Sequence, residues 1–465
     1  MLYVLSSQFS SSQSLLDVPK PAHAPNALPG VEPEMLNPGY WISLMNDADE
    51  VIMTTEEINS FNDKVRNKRV VFKERYGKRD PLEQEFAMSL KKGLIMNPLR
   101  PLELPYTIPG DSLKVWFTDI IAFLNSRDFY DNRNAIYSEG MKQELVDKMN
   151  IDKIPDKITR RYGIIVNHTN IRYFPTSVPG YSNIRSELDY FQATGLLIGN
   201  PVTMLHQSHD GDYLYIESPI ARGWIEAKDI ALANREEINK ITGDKNFLMA
   251  TEHTVPIYGD PSFVNFTRYL YFSATIPLIR NDISGYIVKM PYRKPDGSMG
   301  ITNGYVKPDA DVHIGYLPYT KRNMITQLFK LLNKPYGWGD QDNKRSCAGT
   351  MRVLINCFGI ITGRHPSFLL SAPNHQIYIN PNLSTEEKIA EAEKIEPFIT
   401  MAGTPGHIVL FLGRAHNGKL YFMHQAGWGY DEGDQHYFVN RTTINEAHHS
   451  FYDINTPRVF STFRK

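Results

Sequence analysis

The chain has 465 residues, with 50 basic and 51 acidic side chains and a formal net charge of −1. This balance excludes the strongly basic class of proteins that bind nucleic acid or anionic membranes through charge. Its two cysteines exclude a disulfide-rich scaffold, and the spaced Cys/His sets that bind metals are missing, so no metal or cofactor is expected. No stretch approaches the roughly 18 apolar residues of a transmembrane helix.

Residues 1–38 are rich in Ser, Pro, Ala and Asn, and we predict that they form an extended leader or linker. The apolar start, Met1 to Leu5, is soon interrupted by serines, and no Lys or Arg precedes it. It therefore does not have the pattern of an export signal.

Residues 39–158 follow a helical pattern and predict a helical domain. Thr54-x-x-Glu57 is a capping box, which marks the start of a helix. Residues 113–124 carry a broad apolar stripe with a period of 3.6 residues.

Short β-rich segments separated by turn residues then predict two small antiparallel barrels. The first covers residues 159–236, and the second repeats the plan loosely over residues 237–316, with Asp296-Gly297 as a hairpin turn.

Residues 317–465 carry the candidate chemistry. Thr320 can cap one helix, and a loop punctuated by Pro and Gly leads to a second helix that begins at Cys347. A thiol in the first turn lies at the positive end of the helix dipole. Nearby Lys344 and Arg345 add positive charge, so we expect the nucleophilic thiolate to be favoured.

The alternative for any free cysteine is a buried structural thiol, and it stays open for Cys347. It fits Cys357 better, because Cys357 follows the apolar face in the interior of the predicted helix.

A β-hairpin is predicted from His407 to His424, with Asn417-Gly418 at its turn. A two-residue turn would pair residue 411 with 424, whereas a wider loop would pair 407 with 424. Both registers put the two histidines on the same face, because side chains alternate along a strand.

The three side chains together predict a cysteine nucleophile with its base. Cys347 would attack, His407 would take its proton, and His424 would hold the imidazole in the correct tautomer. Tyr336 and Trp338 are candidate substrate-binding walls, with ordinary loop packing as the alternative.

The chain resembles the NlpC/p60 cysteine peptidases in the segments KPYGWGDQDNKRSC (334–347), PGHIVLFLG (405–413) and YFMHQAGWG (421–429). The segments TNIRYFPT, HDGDYLYIESP and RGWIEAKDIALA resemble the first bacterial SH3-like domain of that family's multi-domain branch, and VPIYGDP and HIGYLPYT resemble the second. NPGYWISLMNDADEVIMTTEEINSFN resembles the branch's N-terminal stabilising domain.

The resemblance implies an α+β protein, in which a papain-like catalytic domain follows a helical N-terminal domain and two SH3-like barrels. It implies cleavage of peptidoglycan stem peptides between γ-D-glutamate and the diamino acid, with Cys347, His407 and His424 as the triad. The expected partner is peptidoglycan or muropeptides, and the oligomeric state is left open. The expected location is the cell envelope or periplasm, with the cytoplasm as the alternative.

The motif departs from the family at the nucleophile, where Ser346-Cys347-Ala348 stands in place of Asp-Cys-Ser. A neutral serine cannot supply an ionic partner for a substrate ammonium group. Ser346 is therefore a candidate substrate contact without that charge, or the N-cap of the helix. Two other functions stay open: a catalytically weak or inactive wall-binding protein, and an acyltransferase that uses the same thiol.

Overall fold

The structure is a computed structural model, which describes residues 22–67, 101–184, 186–373, 375–404, 406–457 and 459–464. It is an α+β protein, as predicted. The α-helices are α1 (Pro38–Ile42), α2 (Thr55–Asn67), α3 (Gly110–Asn125), α4 (Glu139–Lys148), α5 (Arg235–Thr242), α6 (Lys321–Phe329), α7 (Cys347–Asn356), α8 (Pro366–Ser371) and α9 (Thr385–Ala392). Short 3-10 helices cover Pro33–Leu36, Pro101–Glu103, Ile151–Lys153, Ala227–Asp229 and Trp338–Asn343.

The strands before residues 317–465, the region predicted to be catalytic and named the catalytic region for that reason, are β1 (Ala22–His23), β2 (Thr107–Pro109), β3 (Lys157–Thr159), β4 (Arg161–Ile165), β5 (Thr169–Arg172), β6 (Gln192–Leu196), β7 (Pro201–Gln207), β8 (Tyr213–Glu217), β9 (Arg222–Glu226), β10 (Ile230–Leu232), β11 (Phe247–Ala250), β12 (Thr254–Tyr258), β13 (Phe266–Tyr271), β14 (Thr275–Asp282), β15 (Gly285–Arg293), β16 (Met299–Val306) and β17 (Val312–Ile314). Those of the catalytic region are β18 (His375–Tyr378), β19 (Thr400–Thr404), β20 (His407–Arg414), β21 (Leu420–Ala426), β22 (Gly429–Glu432), β23 (Gln435–Phe438), β24 (Arg441–Glu446) and β25 (Val459–Thr462).

Each of the two predicted barrel regions forms an antiparallel sheet of its own. In the first, the strand order is β10-β4-β7-β8-β9-β5-β6, and in the second it is β13-β12-β16-β15-β14-β11-β17. The turn predicted at Asp296-Gly297 connects β15 to β16, and Gly297 has a φ of 85°, which a residue with a side chain rarely adopts. The helix α5, with a capping box of Asn234 and Glu237, connects the two sheets.

The catalytic region is a sheet in the order β18-β25-β19-β20-β21-β24 with helices packed against it. The helix α7 contacts β20 and β21, so the start of the helix lies beside the start of the hairpin. Thr320 caps α6 as predicted, since its side chain accepts a hydrogen bond from the Asn323 N–H.

The predicted helical domain divides its packing between two cores. Thr54 and Glu57 form the predicted capping box at the start of α2. The buried side chains of α2, with Trp41 of α1, join the core of the catalytic region. Those of α3 and α4 pack against the first barrel, where Phe117 stacks on Trp224. Residues 68–100, between these two parts, lie outside the described residues.

The predicted leader is packed where the structure describes it. Four of its apolar side chains are buried in the catalytic core: Ala24, Leu28, Val31 and Met35. The strand β1 pairs in parallel with β23, and the Tyr421 hydroxyl donates to the Gly30 carbonyl at 2.7 Å. An extended linker is therefore wrong for residues 22–38, because they cover apolar surface of another part of the chain. Residues 1–21 of the predicted leader are outside the described residues.

Among the described helices, none has the length and apolar character needed to cross a bilayer.

Candidate active site

The nucleophile candidate lies at the start of α7, which is held by its preceding loop. Ser346 is the N-cap, and its hydroxyl accepts from the Gly349 N–H at 3.1 Å. The same hydroxyl donates to Asp340 at 2.7 Å, and Asp340 also accepts from the Ser346 N–H at 2.8 Å. Cys347 is thus the first helical residue, as predicted, and its backbone N–H has no acceptor within the helix.

Asp340 is buried among cations. It lies 3.6 Å from Arg352, and it also accepts from Thr194 of the first barrel. Burial opposes its ionisation, but Arg352, Arg364 and the hydrogen bond from Ser346 lower its pKa below the ordinary value. A side chain at Gly349 would collide with this carboxylate, because its Cβ would lie 1.8 Å from Oδ1. The carboxylate therefore fixes the start of α7.

The hairpin adopts neither of the two predicted registers. Leu410 pairs with Met423 and Phe411 with Phe422, and a bulge then brings Gly413 opposite Tyr421. Continuing this register places Val409 opposite His424. Both predictions were wrong because the turn is a three-residue loop closed by a hydrogen bond from the Ala415 N–H to the Lys419 carbonyl, and because the bulge inserts one further residue.

The two histidines nevertheless meet, on one face and along a diagonal. His407 Nε2 and His424 Nδ1 are 2.7 Å apart, within hydrogen-bond distance. His424 is fully buried, and 6% of His407 is exposed. Burial lowers the pKa of His424 to about 3, and burial together with the neighbouring ring lowers that of His407 well below its ordinary value. Both rings are therefore neutral at pH 7.

Aromatic side chains cover the histidine pair. The ring of Trp428 lies 4.4 Å from that of His407, edge to face, and Tyr452 lies 5.3 Å from both imidazoles. Trp428 remains 37% exposed, so it stands between the pair and solvent. These rings provide the dry surroundings that keep the imidazoles uncharged.

The thiol lies against the backbone at the start of β20. Cys347 Sγ is 3.9 Å from the Gly406 carbonyl oxygen, directly before His407. The Nδ1 atom of His407 is buried and has no hydrogen-bond partner. No described residue therefore forms a hydrogen bond with this nitrogen, which is the atom that could accept the thiol proton.

The thiolate expected from the sequence is not the resting state. Burial raises the pKa of the Cys347 thiol to about 11, against smaller lowering effects of the Ile408 and Ala348 backbone and of Arg364. Lys344 is exposed to solvent, and Arg345 is buried beside Asp340. Neither of these two cations is among the main influences on the thiol pKa. Cys357 is fully buried at the end of α7, not in the interior of the helix.

The predicted wall residues lie on the loop before the nucleophile. Tyr336 is close enough to Cys347 for the thiolate to raise its pKa, although burial has the larger effect. The ring of Trp338 lies 5.4 Å from that of Tyr190, which comes from the first barrel. Whether these side chains bind substrate stays a prediction, as does the role of Ser346, whose hydroxyl already donates and accepts.

Several residues of this region were not found from the sequence. Asp340 and Trp428 lie inside the motifs, but only the distances above show what they contact. Arg364 and Asn445 come from segments without a recognisable pattern, and the fold brings them to the thiol and to His424 respectively.

A cavity of about 670 Å³ lies elsewhere, between the two barrels and the catalytic region. It is lined by Arg352 and Asn356 of α7 but not by Cys347, His407 or His424. Within the described residues, no group of His, Cys, Asp and Glu is arranged to hold a metal ion.

Residues 185–226, in the first barrel, match a family model described as SH3 domain (SH3b1 type). A structure described as a novel NlpC/P60 endopeptidase from Photobacterium damselae subsp. piscicida is similar to the chain with a TM-score of 0.72 and 18% identity, over 96% of this chain and 99% of that chain. The chain has the fold of the NlpC/P60 endopeptidases. The predicted fold is therefore confirmed along almost the whole length.

Another solved structure, an NlpC/P60 family protein from Bacillus cereus ATCC 10987, covers 65% of this chain and 100% of its own. Its sequence identity to this chain is 14%, and the TM-score is 0.46. None of the curated proteins compared with the chain matches its sequence.

Proposed function

We propose that the chain is a cysteine peptidase that hydrolyses an amide bond of peptidoglycan stem peptides. The observation that carries the proposal is the pair of hydrogen-bonded, neutral histidines beside a thiol at a helix start. The NlpC/P60 fold and the SH3b match support the choice of peptidoglycan as substrate. The proposed location is accordingly the cell envelope or periplasm.

In this proposal, Cys347 attacks the scissile carbonyl while His407 Nδ1 takes its proton. The imidazolium that forms is stabilised by His424, which is held 2.7 Å away. The oxyanion would accept from the Cys347 backbone N–H at the helix start. His407 then protonates the leaving amine, and water hydrolyses the thioester.

Because the resting thiol and imidazole are both neutral, proton transfer accompanies attack instead of preceding it. Substrate binding displaces water and brings the carbonyl to the thiol, and only then does charge develop. The buried surroundings favour this order, since a preformed ion pair would lack water to solvate it.

The proposed scissile bond joins γ-D-glutamate to the diamino acid, with Tyr336 and Trp338 as the walls of the peptide site. Ser346 provides no negative charge, and Asp340 is already paired with arginines. We therefore propose that cleavage does not depend on a free L-Ala ammonium group. Stem peptides with a free and with an acylated L-Ala amine should be cleaved at similar rates.

The test is digestion of defined muropeptides by the purified protein, with products identified by mass spectrometry. The Cys347→Ala variant should release no product, whereas Cys357→Ala, which removes the other buried thiol, should retain activity. Equal product from the parent and Cys347→Ala would refute the proposal. Sedimentation with sacculi without peptide release would instead support a wall-binding protein, and conjugates with an added amine would support an acyltransferase.

A further inference from the structure

Asn445 continues the line of the two histidines onto a third strand. His424 of β21 lies opposite Thr443 of β24, and Asn445 lies opposite Phe422. The side chains of Asn445, His424 and His407 therefore lie on one face of three adjacent strands, along a single diagonal. The row leads from the sheet interior to the thiol.

The orientation of the Asn445 amide follows from its hydrogen bonds. Its Nδ2 donates to the Glu446 carbonyl at 2.9 Å and to the Tyr452 carbonyl at 2.7 Å. Both donor hydrogens are used by acceptors, so the nitrogen cannot be exchanged with the oxygen. The Oδ1 atom consequently points away from these carbonyls as a pure acceptor.

Oδ1 of Asn445 and Nε2 of His424 are each buried, and neither meets the geometry of a full hydrogen bond with any other described group. The two side chains are nevertheless diagonal neighbours on one face of β21 and β24, and in agreement with this the amide raises the pKa of His424 against the larger lowering effect of burial. A pure acceptor interacts favourably only with a nitrogen that carries hydrogen. Nε2 of His424 is that nitrogen.

The tautomers of both rings follow from this contact. A neutral His424 with hydrogen on Nε2 has a lone pair on Nδ1, which can only accept from His407. His407 must then carry its hydrogen on Nε2, and its Nδ1 is left as the free base. That nitrogen is buried without a partner, and the carbonyl that contacts the thiol belongs to Gly406, the residue directly before His407.

We propose that Asn445 is a positioning residue, which sets the tautomers of His424 and His407 so that His407 Nδ1 is free to accept the thiol proton. The inference rests on the proposed function for its catalytic consequence, but the tautomers can be measured without any activity. If His424 carried its hydrogen on Nδ1 instead, two arrangements would be possible. Either His407 Nε2 would also carry hydrogen, so that two hydrogens met between the rings, or the hydrogen of His407 would be on Nδ1. Either arrangement blocks proton transfer.

The first measurement uses the full-length protein with ¹⁵N-labelled histidine, assigned by comparison with His407→Gln and His424→Gln. Long-range ¹H–¹⁵N spectra at pH 7 should show neutral, Nε2-protonated rings for both residues. In Asn445→Leu, both should lose that preference. A His424 ring protonated on Nδ1 in the parent protein would overturn the inference, whether or not the variant folds.

The second measurement distinguishes the effect of losing the Asn445 Oδ1 acceptor from the effect of losing the two hydrogen bonds that Nδ2 donates. Asn445→Asp keeps an acceptor for His424 but loses the donors to Glu446 and Tyr452, whereas Asn445→Leu loses both. Thr443→Val is the matched control on the same strand, since the Thr443 hydroxyl donates to the Ile444 carbonyl. In the comparable serine triad a wrong tautomer costs about 10⁴-fold in kcat, and Asn445, one hydrogen bond further out, should cost about 10- to 100-fold.

We expect Asn445→Leu to lower kcat by that factor at nearly constant KM, with Asn445→Asp closer to the parent. Equal losses in the two variants with unchanged tautomers would overturn the inference and leave a structural role. Failure of the proposed function is distinguishable, because the parent would then lack Cys347-dependent hydrolysis while its tautomers could still be as stated.

Discussion

Two buried polar clusters lie on either side of Cys347, and they are built in opposite ways. The charged cluster, Asp340 with Ser346, Arg345 and Arg352, is ionised, and its carboxylate accepts hydrogen bonds from Ser346 and from Thr194 of the first barrel. The histidine row, His407, His424 and Asn445, is neutral, and it leaves two ring nitrogens and an amide oxygen without a full hydrogen bond. One cluster therefore fixes the helix that carries the thiol, whereas the other leaves ring nitrogens open for the proposed proton transfer.

Removing the base should produce the largest effect. His407→Gln removes the nitrogen that would take the thiol proton, and loss of the comparable histidine in a triad costs about 10⁶-fold in kcat. We expect muropeptide hydrolysis to fall by at least about 10⁴-fold. The free energy of unfolding should change much less, because within the described residues the imidazole of His407 has a single hydrogen bond, to His424.

The control is His416→Gln, which changes an exposed histidine at the hairpin turn. It should hydrolyse muropeptides at the parent rate. Activity of His407→Gln within tenfold of the parent would show that the histidine row serves packing and not proton transfer.

Breaking the charged cluster should affect stability instead. Asp340→Ala leaves Arg352 and Arg345 buried without their anion and removes the acceptor at the start of α7. Loss of one partner of a buried ion pair costs about 3–5 kcal/mol. Urea denaturation of the parent and the variant measures the difference in the free energy of unfolding.

Asp342→Ala is the matched control for Asp340, since Asp342 is exposed in the same loop and its carboxylate accepts a hydrogen bond from the Asn170 amide at 3.1 Å. It should cost less than about 1 kcal/mol. Equal losses would mean that the loop as a whole, and not its buried carboxylate, holds the helix.

The sequence was informative where signals are local. Thr54, Thr320 and the turn at Asp296-Gly297 were predicted because a cap or a turn needs particular residues within a few positions. That His407 and His424 lie on one face was also predictable, because a change of the strand register by two residues leaves every side chain on the same face of the sheet.

The sequence was uninformative where distant segments meet. Leu28 and Met35 are buried by the catalytic region, although their neighbours are polar enough to suggest a linker. The thiol pKa was predicted in the wrong direction, because helix dipole and cations are visible in a sequence and burial is not. Asn445 is brought near His424 by the pairing of β21 with β24, which no local sequence pattern predicts.

The neutral state of the histidine row predicts a pH dependence of stability. An unfolded histidine has a pKa of about 6.5, and burial lowers that of folded His424 to about 3. Below pH 6.5 the unfolded chain therefore binds a proton that the folded chain does not bind. The free energy of unfolding consequently decreases as the pH falls toward 3.

The slope should be about 1.4 kcal/mol per pH unit for this residue. Because burial also lowers the pKa of His168 to about 3 and that of His253 to about 4, the test compares the parent with His424→Gln, and the difference contains the contribution of His424 and its effect on the pKa of His407. Urea denaturation between pH 7 and 4.5 should show a shallower loss in the variant. Parallel curves would mean that His424 is charged in the folded state, and the histidine row would then resemble the charged cluster.

The smallest effect is expected at Ser346, which belongs to the charged cluster and caps α7. Ser346→Ala removes the N-cap of α7, and an N-cap is worth about 1 kcal/mol. Ser384→Ala is the matched control, because Ser384 caps the exposed helix α9 without a buried anion behind it. The Ser346 variant should cost slightly more, since Asp340 then loses one of its two bonds to this residue while the other, from the backbone N–H, remains. A loss as large as that of Asp340→Ala would place the serine, and not the arginines, at the centre of the charged cluster.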